Sequence, residues 1–135
     1  MAKKVYFGVI TEPHVAEMHE MELRDIEPHE VLIEMSTCNI CTTDYQQWMG
    51  LRNHQGFPMA GGHEFAGRII EKGSEVIDEL KIGNQVGAMI GLSCGICDNC
   101  RQGKTSDCSN RRRATGPGGD GYLGGKIFAN YYIAD

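Results

Sequence analysis

Phe65-Ala66-Gly67-Arg68-Ile69-Ile70-Glu71, followed at once by Lys72-Gly73-Ser74, reads as a β-strand running into a turn. Similar stretches lie to either side. Upstream, Lys3 to Ile10 reads as an opening strand, and Glu30-Val31-Leu32-Ile33-Glu34-Met35-Ser36 alternates well enough for another. Downstream, Gln85 to Ile90 and Lys126 to Ile133 are further strand candidates, the last one following a glycine-rich connection from Gly116 to Gly125. The helical signal is short: Thr42, Thr43 and Asp44 suit a first turn after Cys41, and Gly50 suits the stop. With no long amphipathic helix and no internal repeat, many short strands joined by glycine turns imply a mainly β fold, a barrel or a sandwich.

Composition bounds the class. The chain of 135 residues is long enough for one domain with a buried core, and 41% hydrophobic with 23% charged residues is a globular balance. A formal charge of -5 argues against a general binder of nucleic acid or membranes, since phosphate-rich partners select basic faces. No stretch approaches the roughly 18 apolar residues that span a bilayer. The opening Lys3-Lys4 and the apolar run after them are cut short by Thr11-Glu12-Pro13-His14, which suits a strand rather than a signal peptide and a cytoplasmic protein. The chain stops at Asp135 directly after a strand, so the expectation is a piece of a larger protein.

Four of the six cysteines form the series Cys94-x2-Cys97-x2-Cys100-x7-Cys108. Zinc takes four soft ligands in a tetrahedron, and two-residue spacers let the backbone wrap the ion. A redox pair at Cys94-Gly95-Ile96-Cys97 seldom has two more cysteines so near, and iron–sulfur runs typically close with x3 and Cys-Pro, where this chain has x7 and Ser109. Disulfides do not suit a cytoplasmic chain of this size. The expectation is a structural zinc in a lobe from about 93 to 113, closed by four thiolates and so without an open position for catalysis.

Cys41 and Gly62-His63-Glu64 are the other informative positions. Taken singly, Cys41 fits a small packed residue, His63 a strand-end histidine and Asp44 a helix cap. His63-Glu64-Phe65-Ala66-Gly67 fails the metalloprotease pattern, because Gly67 stands where a second histidine is required. In order, however, the chain presents Cys41-x-Thr43-Asp44, Gly62-His63-Glu64-Phe65-Ala66-Gly67, Leu80-Lys81-Ile82-Gly83-Asn84-Gln85-Val86 and then the cysteine quartet. This series resembles the catalytic domain of the zinc-dependent medium-chain alcohol dehydrogenase family over nearly the whole chain.

The resemblance implies a GroES-like, partly open β-barrel with short helices and a four-cysteine zinc lobe, spanning residues 1–135, with the nucleotide-binding domain absent from this chain. It implies two zinc ions, one structural on Cys94, Cys97, Cys100 and Cys108 and one catalytic on Cys41 and His63. Glu64 matches the acid beside the catalytic ion, Thr43 the hydroxyl that takes the substrate proton, and Asp44 the carboxylate that orients the zinc-bound histidine. The implied partners are a small-molecule alcohol or carbonyl, NAD(P) in the intact enzyme, and further copies of the chain in a dimer or tetramer. The pattern departs at Thr42, often glycine or arginine, at Asn84, often aspartate, and at Gln46, where some members carry a proton-relaying histidine.

Gly119-Asp120-Gly121-Tyr122-Leu123-Gly124 matches G-x-G-x-x-G, but a glycine-proline loop precedes it and only eleven residues follow, so it reads as a connector. Tyr45 and Trp48 suit either a substrate pocket or aromatic packing, Cys38 the core, and His14, His19, His29 and His54 the surface. Arg111-Arg112-Arg113 reads as a charged face beside the lobe. A non-catalytic, zinc-binding GroES-like interaction module is the alternative function. Either way the cofactor domain is missing, so the purified chain is expected to show no NAD(P)-dependent alcohol oxidation; robust turnover in a spectrophotometric assay would contradict this.

Overall fold

The computed structural model describes residues 3–52, 56–87, 91–110, 112–113 and 124–134. Nine-residue strand β1 (Lys4–Glu12) points Val5, Phe7 and Val9 inward and Lys4 and Tyr6 outward, the period-two pattern of a strand with one buried face. It pairs antiparallel with β2 (Val15–Glu22), from Lys4 opposite Glu22 to Glu12 opposite Val15. The β2 strand is not visible in the sequence pattern. Val-Ala-Glu-Met-His-Glu-Met-Glu is poor in β-branched and aromatic residues, and its side chains are mostly exposed, so pairing with β1 decides its conformation.

Strand β3 (Val31–Cys38) is followed by helix α1 (Thr42–Trp48) and strand β4 (Phe65–Lys72). Three short strands follow, β5 (Gln85–Val86), β6 (Gly91–Leu92) and, after the cysteine lobe, β7 (Arg112–Arg113), and the chain reaches β8 (Tyr131–Ala134). One sheet has the order β5-β4-β3-β8 and every pairing is antiparallel; β1-β2 and β6-β7 form separate two-stranded sheets. The sheets are therefore open among the described residues, with no closed barrel.

Two expectations about strands change. Gln85–Ile90 contracts to Gln85–Val86, and residues 88–90 lie outside the described set. The strand expected over Lys126–Ile133 forms only at Tyr131–Ala134. Lys126 has φ of 52°, outside the strand region, and the segment that begins there bonds to Ala60, Gly61, Gly8 and Tyr6 in turn. Lys126 N–H donates to Ala60 O at 2.9 Å, Ile127 N–H to Gly61 O at 3.0 Å, and Phe128 O accepts from Gly8 N–H at 2.8 Å. Asn130 N–H then donates to Tyr6 O at 3.2 Å. The segment thus bridges β1 and the loop before β4 instead of pairing along one strand. The connector and the glycine motif before it, up to residue 123, also lie outside the described residues, as do His54 and Arg111.

Two apolar clusters hold these layers. Val31, Ile33, Ile69, Ile127, Tyr132 and Ala134 form one, with Cys38 and Phe65 packed against it; Val5, Phe7, Val9 and Ala60 form the other. Burial raises the Cys38 thiol above its usual range, as suits a core neighbour. Glu30, 5% exposed, is held by both Nη atoms of Arg24 at 2.7 Å, which keeps its carboxyl below the ordinary range. The hairpin turn is tied to the end of α1: His14 N–H donates to Trp48 O at 2.8 Å, and the two rings meet edge-on with centroids 4.8 Å apart. His19, expected at the surface, is half-buried against the Phe7 ring and Glu17.

Gly67 shows how closely β3 and β4 approach beside a bulge. A Cβ there would meet Ile33 Cγ2 and sit 2.6 Å from Glu34 O. Gly67→Ala is expected to destabilise the fold by about 1–3 kcal/mol through overpacking, read as a lower midpoint in urea unfolding; an unchanged midpoint would contradict this packing.

Candidate metal centres

Helix α1 begins on a cysteine that acts as its cap. Cys41 is extended, with φ of -104° and ψ of 176°, and its Sγ accepts from Thr43 N–H at 3.2 Å. In return Asp44, three residues on, accepts from Cys41 N–H through Oδ2 at 2.9 Å, the reciprocal capping arrangement with sulfur in the usual hydroxyl place. The other oxygen, Oδ1, accepts from Gly62 N–H at 3.2 Å. Asp44 is only 8% exposed, and the two N–H donors, one at the helix start and one in the loop before β4, offset the cost of burying a carboxylate.

That bridge sets His63 against Cys41 across 22 residues of sequence. His63 Nε2 lies 3.1 Å from Cys41 Sγ, and Nδ1 faces Asp44 Oδ1 at 3.9 Å. The ligand atoms of Cys41, Asp44 and His63 all lie within 4.8 Å of one another. A thiolate and an imidazole this close suit a small, borderline-soft ion such as zinc. Both Asp44 oxygens are engaged by backbone N–H groups, so it is placed to brace the pair. Glu64 Oε1 stands 3.9 Å from His63 Nε2 on a half-exposed side chain, beside the pair and outside that cluster of three.

Two residues near this centre carry no sequence signal. The Phe128 ring covers the backbone that donates to Asp44: a Cβ on Gly61 would sit 3.6 Å from Phe128 Cε2 and 3.4 Å from Asp44 Oδ1, and one on Gly62 would sit 3.2 Å from Phe128 Cδ1. Gly62, with φ of 94°, also needs the left-handed freedom of glycine. Arg52 is the second. After Gly50 the chain doubles back, Leu51 and Arg52 N–H both donating to Gln46 O, and Arg52 Nη1 donates to Thr43 Oγ1 at 3.3 Å. No spacing rule foresees either contact, because both depend on how the loops fold back.

Tyr45 and Trp48 line a cavity of about 410 Å³, with Ile40, Phe128 and Asp44 also in its wall. Cys41, Thr43 and His63 are not among its lining residues, so the cavity adjoins the thiol–imidazole pair through Asp44.

The four-cysteine lobe is built locally. Cys97 caps helix α2 (Asp98–Arg101), a 3₁₀ turn follows at Thr105–Asp107, and Gly95 and Gly103 turn with φ of 72° and 78°. Pairing of β6 with β7 closes the lobe at its base. The sulfurs of Cys94, Cys97, Cys100 and Cys108 lie within 4.8 Å of one another, all unbridged. Cys94 N–H points at Cys108 Sγ at 3.3 Å and Cys97 N–H at Cys94 Sγ at 3.4 Å. Backbone N–H groups of Cys100 and Ser109 pull Cys97 down to about 6, and those of Ile96 and Cys97 lower Cys94. Desolvation, then the bond with Cys97, push Cys100 up to about 12. Four sulfurs in contact resist ionising together, and a divalent cation removes that resistance, so the donor set fits zinc.

Comparison with known proteins names the family. A family model described as "Alcohol dehydrogenase GroES-like domain" matches residues 27–135. This chain belongs to that family. An L-threonine 3-dehydrogenase of Bacillus subtilis (strain 168) is 36% identical over 115 residues, which cover 82% of this chain and 30% of that protein. Cinnamyl alcohol dehydrogenase 1 of Ocimum basilicum is 39% identical over 83 residues, 62% of this chain and 22% of that protein. Among solved structures, galactitol-1-phosphate dehydrogenase from Escherichia coli superposes with a TM-score of 0.78 at 26% identity, covering 96% of this chain and 36% of that one. The GroES-like chain thus spans less than a third of the length of the curated relatives it matches. Among its described residues no helix is long and apolar enough to cross a membrane.

Loading the quartet requires expulsion of the Cys100 proton at any pH below about 12, whereas Cys97 is already ionised above about 6. Zinc affinity is therefore expected to rise with pH, by about tenfold per unit for each proton released. Calorimetric titration in buffers of different ionisation heat counts those protons; affinity that is flat with pH would contradict a thiolate site.

Proposed function

We propose that residues 1–135 are the metal-binding part of a zinc-dependent alcohol dehydrogenase, which in the intact protein transfers hydride between a small alcohol and NAD(P). The observation that carries this reading is the 3.1 Å approach of Cys41 Sγ to His63 Nε2, braced by Asp44. Cys41 and His63 would hold the catalytic zinc with Glu64 beside it, and Cys94, Cys97, Cys100 and Cys108 the structural one. When bound, the catalytic ion supplies Lewis acidity that makes an alcohol proton acidic near neutrality.

The chain's own residues set up the rest. Asp44 ties the Cys41 backbone to that of Gly62, the residue before His63, so both donors face one point. Thr43, on the exposed first turn of α1, relays the hydroxyl proton, accepting it at Oγ1 as its own proton passes on to solvent, and Arg52 positions that oxygen by donating to it. Hydride leaves the carbinol carbon for a nicotinamide held elsewhere in the intact protein: among the described residues all strand pairings are antiparallel, and none builds the βαβ unit that binds dinucleotides. The intact enzyme is read as a cytoplasmic homodimer or homotetramer acting on alcohols, without nucleic-acid or membrane partners.

One observation favours a non-catalytic module instead: Cys41 Sγ already has a structural task as the cap of α1. Metal analysis separates the two readings. Two zinc ions per wild-type chain, falling to one in Cys41→Ser and in His63→Ala with the fold retained by circular dichroism, is the expected result. One ion in wild type, unchanged by either substitution, would favour the module.

A further inference from the structure

We propose that Arg52 is a specificity-determining residue that selects alcohols carrying an anionic group, a carboxylate or a phosphate, near the reacting hydroxyl. The proposal rests on the reading of Cys41, Thr43 and His63 as the reacting site.

The geometry comes first. The turn after α1 delivers the guanidinium to Thr43 Oγ1, the atom that takes the substrate proton, at 3.3 Å. A substrate oxygen bonded to Thr43 would lie within roughly 6 Å of that guanidinium, given ordinary hydrogen-bond lengths of about 2.7 Å. An anion a few bonds from the carbinol carbon therefore reaches Arg52 without leaving Thr43.

Charge is the second argument. The chain has 18 acidic and 13 basic residues, so an arginine beside a carboxylate would be the ordinary arrangement. Arg24 is paired with Glu30, Lys4 with Glu20 and Lys72 with Asp78. Among the described residues Arg52 has no salt bridge, and its side-chain hydrogen bond there is the one to Thr43 Oγ1. Nearby carboxylates are committed elsewhere, Asp44 to Cys41 and Gly62 N–H and Glu64 beside His63. Arg52 is exposed at the site, with four of its five N–H donors left to meet a ligand.

Chemistry converts that position into selectivity. A guanidinium presents a planar fork that matches carboxylate and phosphate oxygens two at a time. A neutral, apolar alcohol covering Arg52 would strip water from the charge and offer nothing in return. The same group therefore favours anionic substrates and disfavours apolar ones.

The test uses the full chain loaded with Co²⁺, whose visible bands report separately on the four-cysteine and the Cys41–His63 centres. Two matched pairs of probes are titrated at fixed ionic strength: glycerol 1-phosphate against glycerol, and 3-hydroxybutyrate against 1,3-butanediol. The expected result is that at least one anionic probe binds about tenfold more tightly than its neutral partner, with that preference weakening as salt rises. Arg52→Gln is expected to bring the anionic-to-neutral ratio to about one while leaving cobalt stoichiometry unchanged, and Arg52→Lys to keep part of the preference. The pair that responds distinguishes phosphate from carboxylate. No preference in wild type, or an equal preference in Arg52→Gln, overturns the role of Arg52 while leaving the metal reading intact. Uptake of only one cobalt ion, on the four cysteines, overturns the metal reading and this proposal with it.

Discussion

The carboxylate of Asp44 continues a junction that the β3–β4 ladder begins. Cys38 pairs with Phe65 and Asn39 N–H donates to Glu64 O, and Asp44 then ties the start of α1 to the loop before β4. One oxygen accepts from Cys41 N–H at the start of α1, and the other from Gly62 N–H in the loop before β4. A buried carboxylate is costly unless its lone pairs are filled, and both N–H groups would otherwise lack a partner in the same space. Each side therefore satisfies the other. Once they are joined, Cys41 Sγ and His63 Nε2 are 3.1 Å apart.

The segment from Lys126 to Asn130 makes this arrangement rigid. Its backbone bonds in turn to Ala60, Gly61, Gly8 and Tyr6, so it ties the β1–β2 hairpin to the loop that carries His63. Ile127 belongs to the core of the four-stranded sheet, and Phe128 lies against the glycines below the Asp44 bond. Packing in one apolar cluster thus bears directly on where the imidazole stands. A regular strand there could not have served both the hairpin and that loop.

The two candidate metal centres differ in how they are made. The cysteine quartet needs only tight turns: all four ligands lie between Cys94 and Cys108, and glycines with left-handed backbone supply the corners. Its N–H groups already favour negative sulfur at Cys97 and Cys94, while desolvation holds the Cys100 thiol up. The Cys41–His63 centre, by contrast, is assembled by long-range packing and leaves one face open to solvent, where Thr43 and Arg52 stand. A closed site suits holding a lobe together, and an open one suits chemistry.

Much of this was legible in the order of residues. Alternation marked β1, β3 and β4, the cysteine spacing marked the lobe, and the series through Cys41, Thr43, Asp44, His63 and Glu64 pointed to the family that the comparisons name. Each of those signals is local, or a sum of local ones. What escaped is what depends on a distant partner: β2, whose polar, methionine-rich sequence is a strand only because β1 is beside it; the irregular course of Lys126–Asn130; the Phe128 ring over Gly61 and Gly62; and the return of Arg52 to Thr43. The sequence by itself determined which donor atoms the chain possesses and how the four cysteines are spaced around one point. Only the tertiary structure decided that a thiol and an imidazole 22 residues apart meet, and that the Arg52 guanidinium returns to Thr43, because buried N–H groups and apolar rings find their partners across the fold.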